Sequence, residues 1–153
     1  MGVSGSGKST IGALLAARLG WEFLDADEYH PAPNVAKMAA GIPLADADRR
    51  PWLERLNEEL RQRRNAVLAC SALKESYRRA LCTDVGCRIV HLRGSVELLR
   101  ARLQERRHRY MPASLLDSQL AALEPPAGAI DIDVARPAHE CVAVILAQLP
   151  MCT

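Results

Sequence analysis

The chain runs from Met1 straight into Gly2-Val3-Ser4-Gly5-Ser6-Gly7-Lys8-Ser9-Thr10, and this run constrains the fold more than any other segment. It satisfies the G-x-x-x-x-G-K-[ST] pattern of a phosphate-binding loop. Glycines let the backbone curl until its N–H groups converge on phosphate oxygens, and the helix that follows aims its positive end at the same point. Lys8 is placed to neutralise β- and γ-phosphates, and the Ser9 hydroxyl to ligate Mg²⁺. Such a loop joins a buried strand to a helix, yet no strand-forming stretch stands ahead of it in this sequence. We expect the central strand, roughly ten residues with its lead-in, to come from upstream of Met1. Failing that, the sheet lacks its middle and both neighbours carry apolar open edges.

With 153 residues, 49% apolar and 25% charged, the chain reads as one ordinary globular domain, 1–153. A net charge of +2 gives no reason to expect nucleic acid as a partner. Arg61, Arg63 and Arg64 read as a solvated helix face. The five cysteines form no C-x-x-C pair, which suits reduced thiols in a cytoplasmic protein. No apolar run is long enough to span a membrane and no signal peptide is evident, so we expect no membrane partner.

Strand-like and helix-like patterns alternate along the whole chain. That predicts an α/β fold, a three-layer α/β/α sandwich around a parallel sheet in the manner of the small nucleotide kinases. Ile11, Leu14, Leu15 and Leu19 form one helical face that stops at Gly20. Strands are expected at Trp21–Asp27, Ala66–Cys70, Arg88–Leu92 and Ala129–Val134, with a fifth before the loop. Pro51 suits the first turn of a helix that turns Trp52, Leu53, Leu56 and Leu60 inward. Further helices are expected at Lys74–Leu81, from Gly94-Ser95 through Leu103, at Ser114–Leu123 and at Pro137–Leu149.

Ligands of such sheets sit beyond the carboxyl ends of the strands. The first expected strand ends in Asp25-Ala26-Asp27, whose two carboxylates would point the same way if both lay in the strand. Asp25 suits the Mg²⁺ shell. Asp27, farther out, suits the hydroxyl that attacks the γ-phosphate. His30 can hydrogen-bond a substrate or simply occupy the turn before Pro31. Arg49 can clamp a carboxylate with its planar fork, and Asp48 can cap a helix. Lys74 and Arg78, four apart at the next strand end, suit an anionic substrate. Arg102 and Arg106 precede an irregular stretch that reads as a lid over 104–113, carrying arginines toward a triphosphate. Arg136-Pro137-Ala138 is a candidate adenine contact.

The blocks GVSGSGKST, FLDADEYHP, Asn34–Gly41, GIPLADADRRPWL, CSALKESYR and Met111-Pro112 through Leu123-Glu124-Pro125-Pro126, taken together and in this order, resemble the small gluconokinases. These are ATP-dependent kinases with the adenylate-kinase-like P-loop fold. The resemblance covers nearly the whole chain. It implies phosphorylation of D-gluconate at its 6-hydroxyl with MgATP, and a homodimer. It places Asp27, His30, Arg49, Lys74 and Arg78 around the sugar acid, and Lys8 and Asp27 at the chemistry. The chain departs from the family in its missing first strand and in His108-Arg109-Tyr110, where the family tends to carry Gly-His-Phe. Alternatives are a kinase for another hydroxy acid such as shikimate, and a non-catalytic nucleotide-binding chain. A GTPase switch is disfavoured by the lack of D-x-x-G and N-K-x-D elements.

Overall fold

The computed structural model describes residues 1–106 and 114–150, with only the backbone of Ser114. The elements, in order, are α1 (Lys8–Leu19), β1 (Glu22–Asp25), a 3-10 turn (Ala26–Tyr29), α2 (Ala32–Ala39), α3 (Asp46–Arg61), β2 (Ala66–Ala69), α4 (Glu75–Cys82), β3 (Val90–Arg93), α5 (Val96–Glu105), α6 (Ser114–Ala122), β4 (Ile130–Asp133) and α7 (Ala138–Gln148). The alternation expected from the sequence is present, and every strand pairing is parallel.

Three apolar clusters hold the helices in place, one of them joining Leu99 of α5 and Leu116 of α6 to Val3 and Leu73. Ile11 and Leu15 of α1 pack with Val142 and Ile145 of α7 against Leu92 and Ile132. Trp52, Leu53 and Leu56 of α3 pack with Tyr77 and Leu81 of α4. Leu56 and Ile145 are fully buried, so truncating either to Ala costs about 2–5 kcal/mol. Leu14, expected to face inward, is 41% exposed. At 100° per residue it lies at the edge of the stripe set by Ile11 and Leu15.

The sheet is in two halves. Among the described residues β1 pairs with β2 and β3 with β4, and no ladder joins the two halves. A slot of about 310 Å³ runs between them, lined by Leu68 and Ala69 on one side, Val90 and Leu92 on the other, and Ile11 and Leu15 of α1. Only the first two residues enter this position. The Met1 amine donates to Val90 O at 2.6 Å, Leu92 N–H donates to Met1 O at 2.9 Å, and Gly2 N–H donates to Ser71 O at 3.3 Å. Bonds from one residue to partners two apart are the parallel-ladder pattern. Met1 and Gly2 therefore lie in parallel-ladder register between β3 and the end of β2.

Two local expectations are corrected. The helix expected to begin at Pro51 begins at Asp46 and carries Pro51 inside it. Asp48, its third residue, accepts the Ala45 N–H at 2.8 Å, a reach-back that starts the helix earlier. The first strand ends at Asp25 and not at Asp27. Asp25 caps the 3-10 turn by accepting the Asp27 N–H at 3.1 Å, so Asp27 lies in that turn. The two carboxylates are placed by a cap, not by strand alternation.

Candidate active site

The phosphate loop folds around the carbonyl of Val3, which accepts from Ser6 Oγ at 2.7 Å and from Lys8 Nζ at 3.0 Å. Glycine is required at two points. Gly7 stands at φ +85° just before α1, and a Cβ on Gly2 would come within 2.8 Å of Leu92 O. The loop thus opens onto the N-terminus of a 12-residue helix, where N–H groups and the helix dipole favour an anion. Burial pulls the Lys8 ammonium below its ordinary value, opposed by the charges of Asp27 and Asp25. The charges of two carboxylates therefore act on the lysine that would meet phosphate.

Ser9, in the first turn of α1, donates its hydroxyl to Asp25 Oδ2 at 2.7 Å. One hydroxyl and one carboxylate beside a phosphate loop are what Mg²⁺ takes from a protein, since it fills the rest of its octahedron with phosphate oxygens and water. The donor set fits that ion.

A second group of side chains lies around α3. His30 stacks on Trp52, with centroids 4.1 Å apart and planes 13° from parallel. The Trp52 indole donates to Ala26 O at 2.8 Å. Trp52 is 3% exposed, so it is at once core and the platform under His30. Burial, with the nearby Arg49 charge second, pulls the His30 imidazolium down to about 4, which leaves the ring neutral at pH 7. Asn34 Nδ2 faces His30 Nδ1 at 3.4 Å and donates to Asp48 O at 2.9 Å. The Arg49 guanidinium lies 5.2 Å from the centre of the Tyr77 ring and the Lys74 ammonium 5.5 Å from it.

A third region, of about 160 Å³, is lined by Gly7, Thr10, Arg102, Arg106, Val134 and Arg136. Arg102 Nη2 donates to Val134 O at 2.6 Å. It adjoins the loop on the side of α5 and the start of α7, where the sequence placed the nucleotide.

Comparison with known proteins decides the family. A gluconokinase of Gluconobacter oxydans is 52% identical over 131 aligned positions, covering 82% of this chain and 74% of the relative. A probable gluconokinase of Xenopus tropicalis is 46% identical, covering 87% of this chain and 83% of the relative. The crystal structure of a gluconokinase from Sinorhizobium meliloti superposes with a TM-score of 0.89 at 45% identity, over 96% of this chain and 87% of that one. The chain belongs to the gluconokinase family. Residues 4–121 also match the family model described as shikimate kinase, as expected of a P-loop kinase that phosphorylates a hydroxyl.

Within this family chain, most of the residues singled out from the sequence fall into the three regions. Gly2 through Gly7 form the loop and Lys8 through Thr10 open α1, with Asp25 bonded to Ser9 and the Asp27 charge acting on Lys8. His30, Arg49 and Lys74 gather around Trp52 and Tyr77. Arg102 and Arg106 line the third region. The lid centre, with His108, Arg109 and Tyr110, lies outside the described residues. Arg78 stands apart. It is 5% exposed, and its guanidinium donates to Ala72 O, Leu73 O, Glu124 O and the Glu75 carboxylate. All five of its N–H groups are used within the protein.

Three residues that the sequence did not single out bond to the segments that carry these side chains. Gln119 Oε1 accepts the Ser4 N–H of the phosphate loop at 2.7 Å. Glu124 accepts the Glu75 N–H at 2.7 Å, and its own N–H donates to Leu73 O at 2.8 Å. Asp46 receives both Lys74 and the Tyr77 hydroxyl. Gln119 and Glu124 lie in one of the blocks shared with the family, which was the available signal. Asp46 likewise lies in the shared block GIPLADADRRPWL, but no local pattern pairs it with Lys74 and Tyr77.

Proposed function

We propose that this chain transfers the γ-phosphoryl group of ATP to the 6-hydroxyl of D-gluconate, giving 6-phospho-D-gluconate and ADP. The observation that carries the proposal is the opposition of two differently charged regions around α3 and the phosphate loop. The charges of Asp25 and Asp27 act on Lys8 beside the phosphate loop, and the cations Arg49 and Lys74 lie 5.2 and 5.5 Å from the centre of the Tyr77 ring. A chain acid with a carboxylate at one terminus and a hydroxyl at the other matches that polarity. The names of the relatives support the same substrate.

In this account Gly2 through Thr10 wrap the phosphates, and Lys8 exchanges the Val3 carbonyl for a phosphate oxygen. Ser9 and Asp25 would hold Mg²⁺, which supplies charge neutralisation on the phosphates when bound. Asp27 takes the proton of the 6-hydroxyl as its oxygen bonds to the γ-phosphorus and the bond from phosphorus to the β-bridging oxygen breaks. Arg49 and Lys74 grip the substrate's carboxylate, and neutral His30, held flat by Trp52, hydrogen-bonds a sugar hydroxyl. Arg102 and Arg106 lie along the nucleotide, beneath a lid centred on 104–113. We assign Arg78 to shaping the 72–75 loop that presents Lys74. A homodimer in the cytoplasm completes the proposal, and light scattering of the purified chain tests the dimer.

A second reading, phosphorylation of shikimate, is favoured by the match to the shikimate kinase family model. A coupled assay of ADP release with gluconate and shikimate in parallel separates the two.

A further inference from the structure

The cationic end of the site already contains a carboxylate. Asp46 is the first residue of α3, where a negative charge meets the positive end of the helix dipole. Its Oδ1 accepts from Lys74 Nζ at 3.2 Å and from the Tyr77 hydroxyl. The donors come from the other wall of the site: Lys74 caps α4 and Tyr77 lies in its first turn. Tyr77 is buried, whereas the Asp46 side chain is 68% exposed. The acid therefore sits at the mouth, on the very groups a carboxylate ligand would seek.

Charge counting gives this contact a consequence. Arg49 and Lys74 contribute two positive charges, Asp46 removes one, and His30 is neutral. These four groups carry a net single positive charge, to which the neighbouring Lys37–Asp48 ion pair adds none, and that matches a substrate with one carboxylate. An exposed ion pair of this kind is weak and exchanges readily, so an incoming carboxylate can take Lys74 while Asp46 swings to water.

We propose that Asp46 is a resident stand-in for the substrate's carboxylate and a specificity-determining residue. It holds Lys74 and Tyr77 in place in the ligand-free site, competes with the substrate for Lys74, and repels acids carrying a second carboxylate. This rests on the reading of the site as that of a sugar-acid kinase.

The test compares the full chain with its Asp46→Asn variant, using gluconate and the dicarboxylic acid glucarate at low salt. The amide keeps the shape of the side chain but loses the charge. The expected result is a KM for gluconate lowered about three- to tenfold, with the change in KM and not in kcat, and a larger relative gain in kcat/KM for glucarate. Raised salt should shrink the difference between the two proteins. An unchanged or higher KM for gluconate, or no gain on glucarate, overturns the proposal. A purely structural role for Asp46 would lower the melting temperature without shifting the ratio between the two acids.

A second readout does not need turnover. Asp46 raises the Lys74 ammonium above its ordinary value, chiefly through their hydrogen bond. Lys74 should therefore be acylated several-fold faster by an amine-directed reagent in Asp46→Asn, as read by mass spectrometry. Equal labelling overturns the contact itself. Faster labelling with no gluconate turnover by either protein would leave the contact standing and count against gluconate as substrate.

Discussion

Ser9 Oγ donates to Asp25 Oδ2 at 2.7 Å, which ties the first turn of α1 to the last residue of β1. The same carboxylate accepts the Asp27 N–H through its other oxygen. One aspartate thus fixes both a metal-side hydroxyl and the turn that carries the hydroxyl-side acid. Replacing Asp25 with Ala should raise the Mg²⁺ concentration needed for half-maximal activity about tenfold or more. It should also lower stability by about 1 kcal/mol through the lost cap. Titration of Mg²⁺ against rate checks the first, and thermal melting the second.

Asp27→Asn should lower kcat by roughly 10²–10⁴-fold, the range for loss of a positioned acid–base group, while nucleotide affinity stays within about twofold. Isothermal titration with a non-hydrolysable ATP analogue, beside the steady-state rate, measures both. Near-normal turnover would remove Asp27 from the chemistry.

Arg49→Lys keeps the charge but loses the planar fork. The KM for gluconate should rise about tenfold, which corresponds to about 1.4 kcal/mol, and ATP affinity should stay unchanged. An equal loss in KM for both substrates would show that Arg49 supports the fold of α3 and not the acid.

The alternation of strands and helices and the phosphate loop could be read from the sequence, and the charged residues at the strand ends could be picked out from it as candidates. Each rests on local pattern: glycine spacing at residues 2–7, apolar period along α1 and α7, charged residues at strand ends. What could not be read depends on contacts across the fold. Pro51 suggested a helix start, but the Asp48 carboxylate reaching back to Ala45 moved the start to Asp46. Asp25 and Asp27 suggested strand alternation, but the cap made by Asp25 turned the chain after one of them. Arg78 looked like a substrate clamp by its spacing from Lys74, yet the carbonyls of Ala72, Leu73 and Glu124, from separated segments, use its N–H groups. The pairing of Asp46 with Tyr77 joins residues 31 positions apart, and no sequence period reports it.

Stability should fall on the acid side of neutrality. His30 has a folded value of about 4 against 6.5, so the unfolded state binds the proton first. Stability is complete above about pH 6.5 and is lost as pH falls toward 4. With the ring only partly buried, the effect is on the order of 1–2 kcal/mol after solvent screening. His30→Gln should flatten this part of the melting profile; an unchanged profile between pH 7 and 4.5 would assign the acid limb to other groups.

The slot between β2 and β3 predicts that a strand can be added. Joining an apolar segment such as Val-Ile-Val-Leu ahead of Met1 should let it continue the Met1 ladder back along β3 from Val90 toward Arg88. After conformational entropy a net gain of about 3 kcal/mol is expected, or about 10 °C in Tm for a chain of this size. A Gly-Ser segment of equal length should give only the smaller gain from removing the buried Met1 amine. That amine is pulled down to about 5, chiefly by burial, and opposes folding progressively as pH falls from 8 toward 5. Equal melting temperatures for the apolar and Gly-Ser extensions would show that the slot does not seat a strand.

The central claim is that the acid held by Arg49 and Lys74 is gluconate. The direct measurement is the rate of ATP consumption in a coupled assay with D-gluconate, shikimate and a panel of sugar acids, run on residues 1–153 and on the same chain with the apolar extension. Turnover with gluconate is expected, at a kcat/KM at least about a hundredfold above that for shikimate, in whichever form is active. Turnover of shikimate or another acid in preference to gluconate would contradict it.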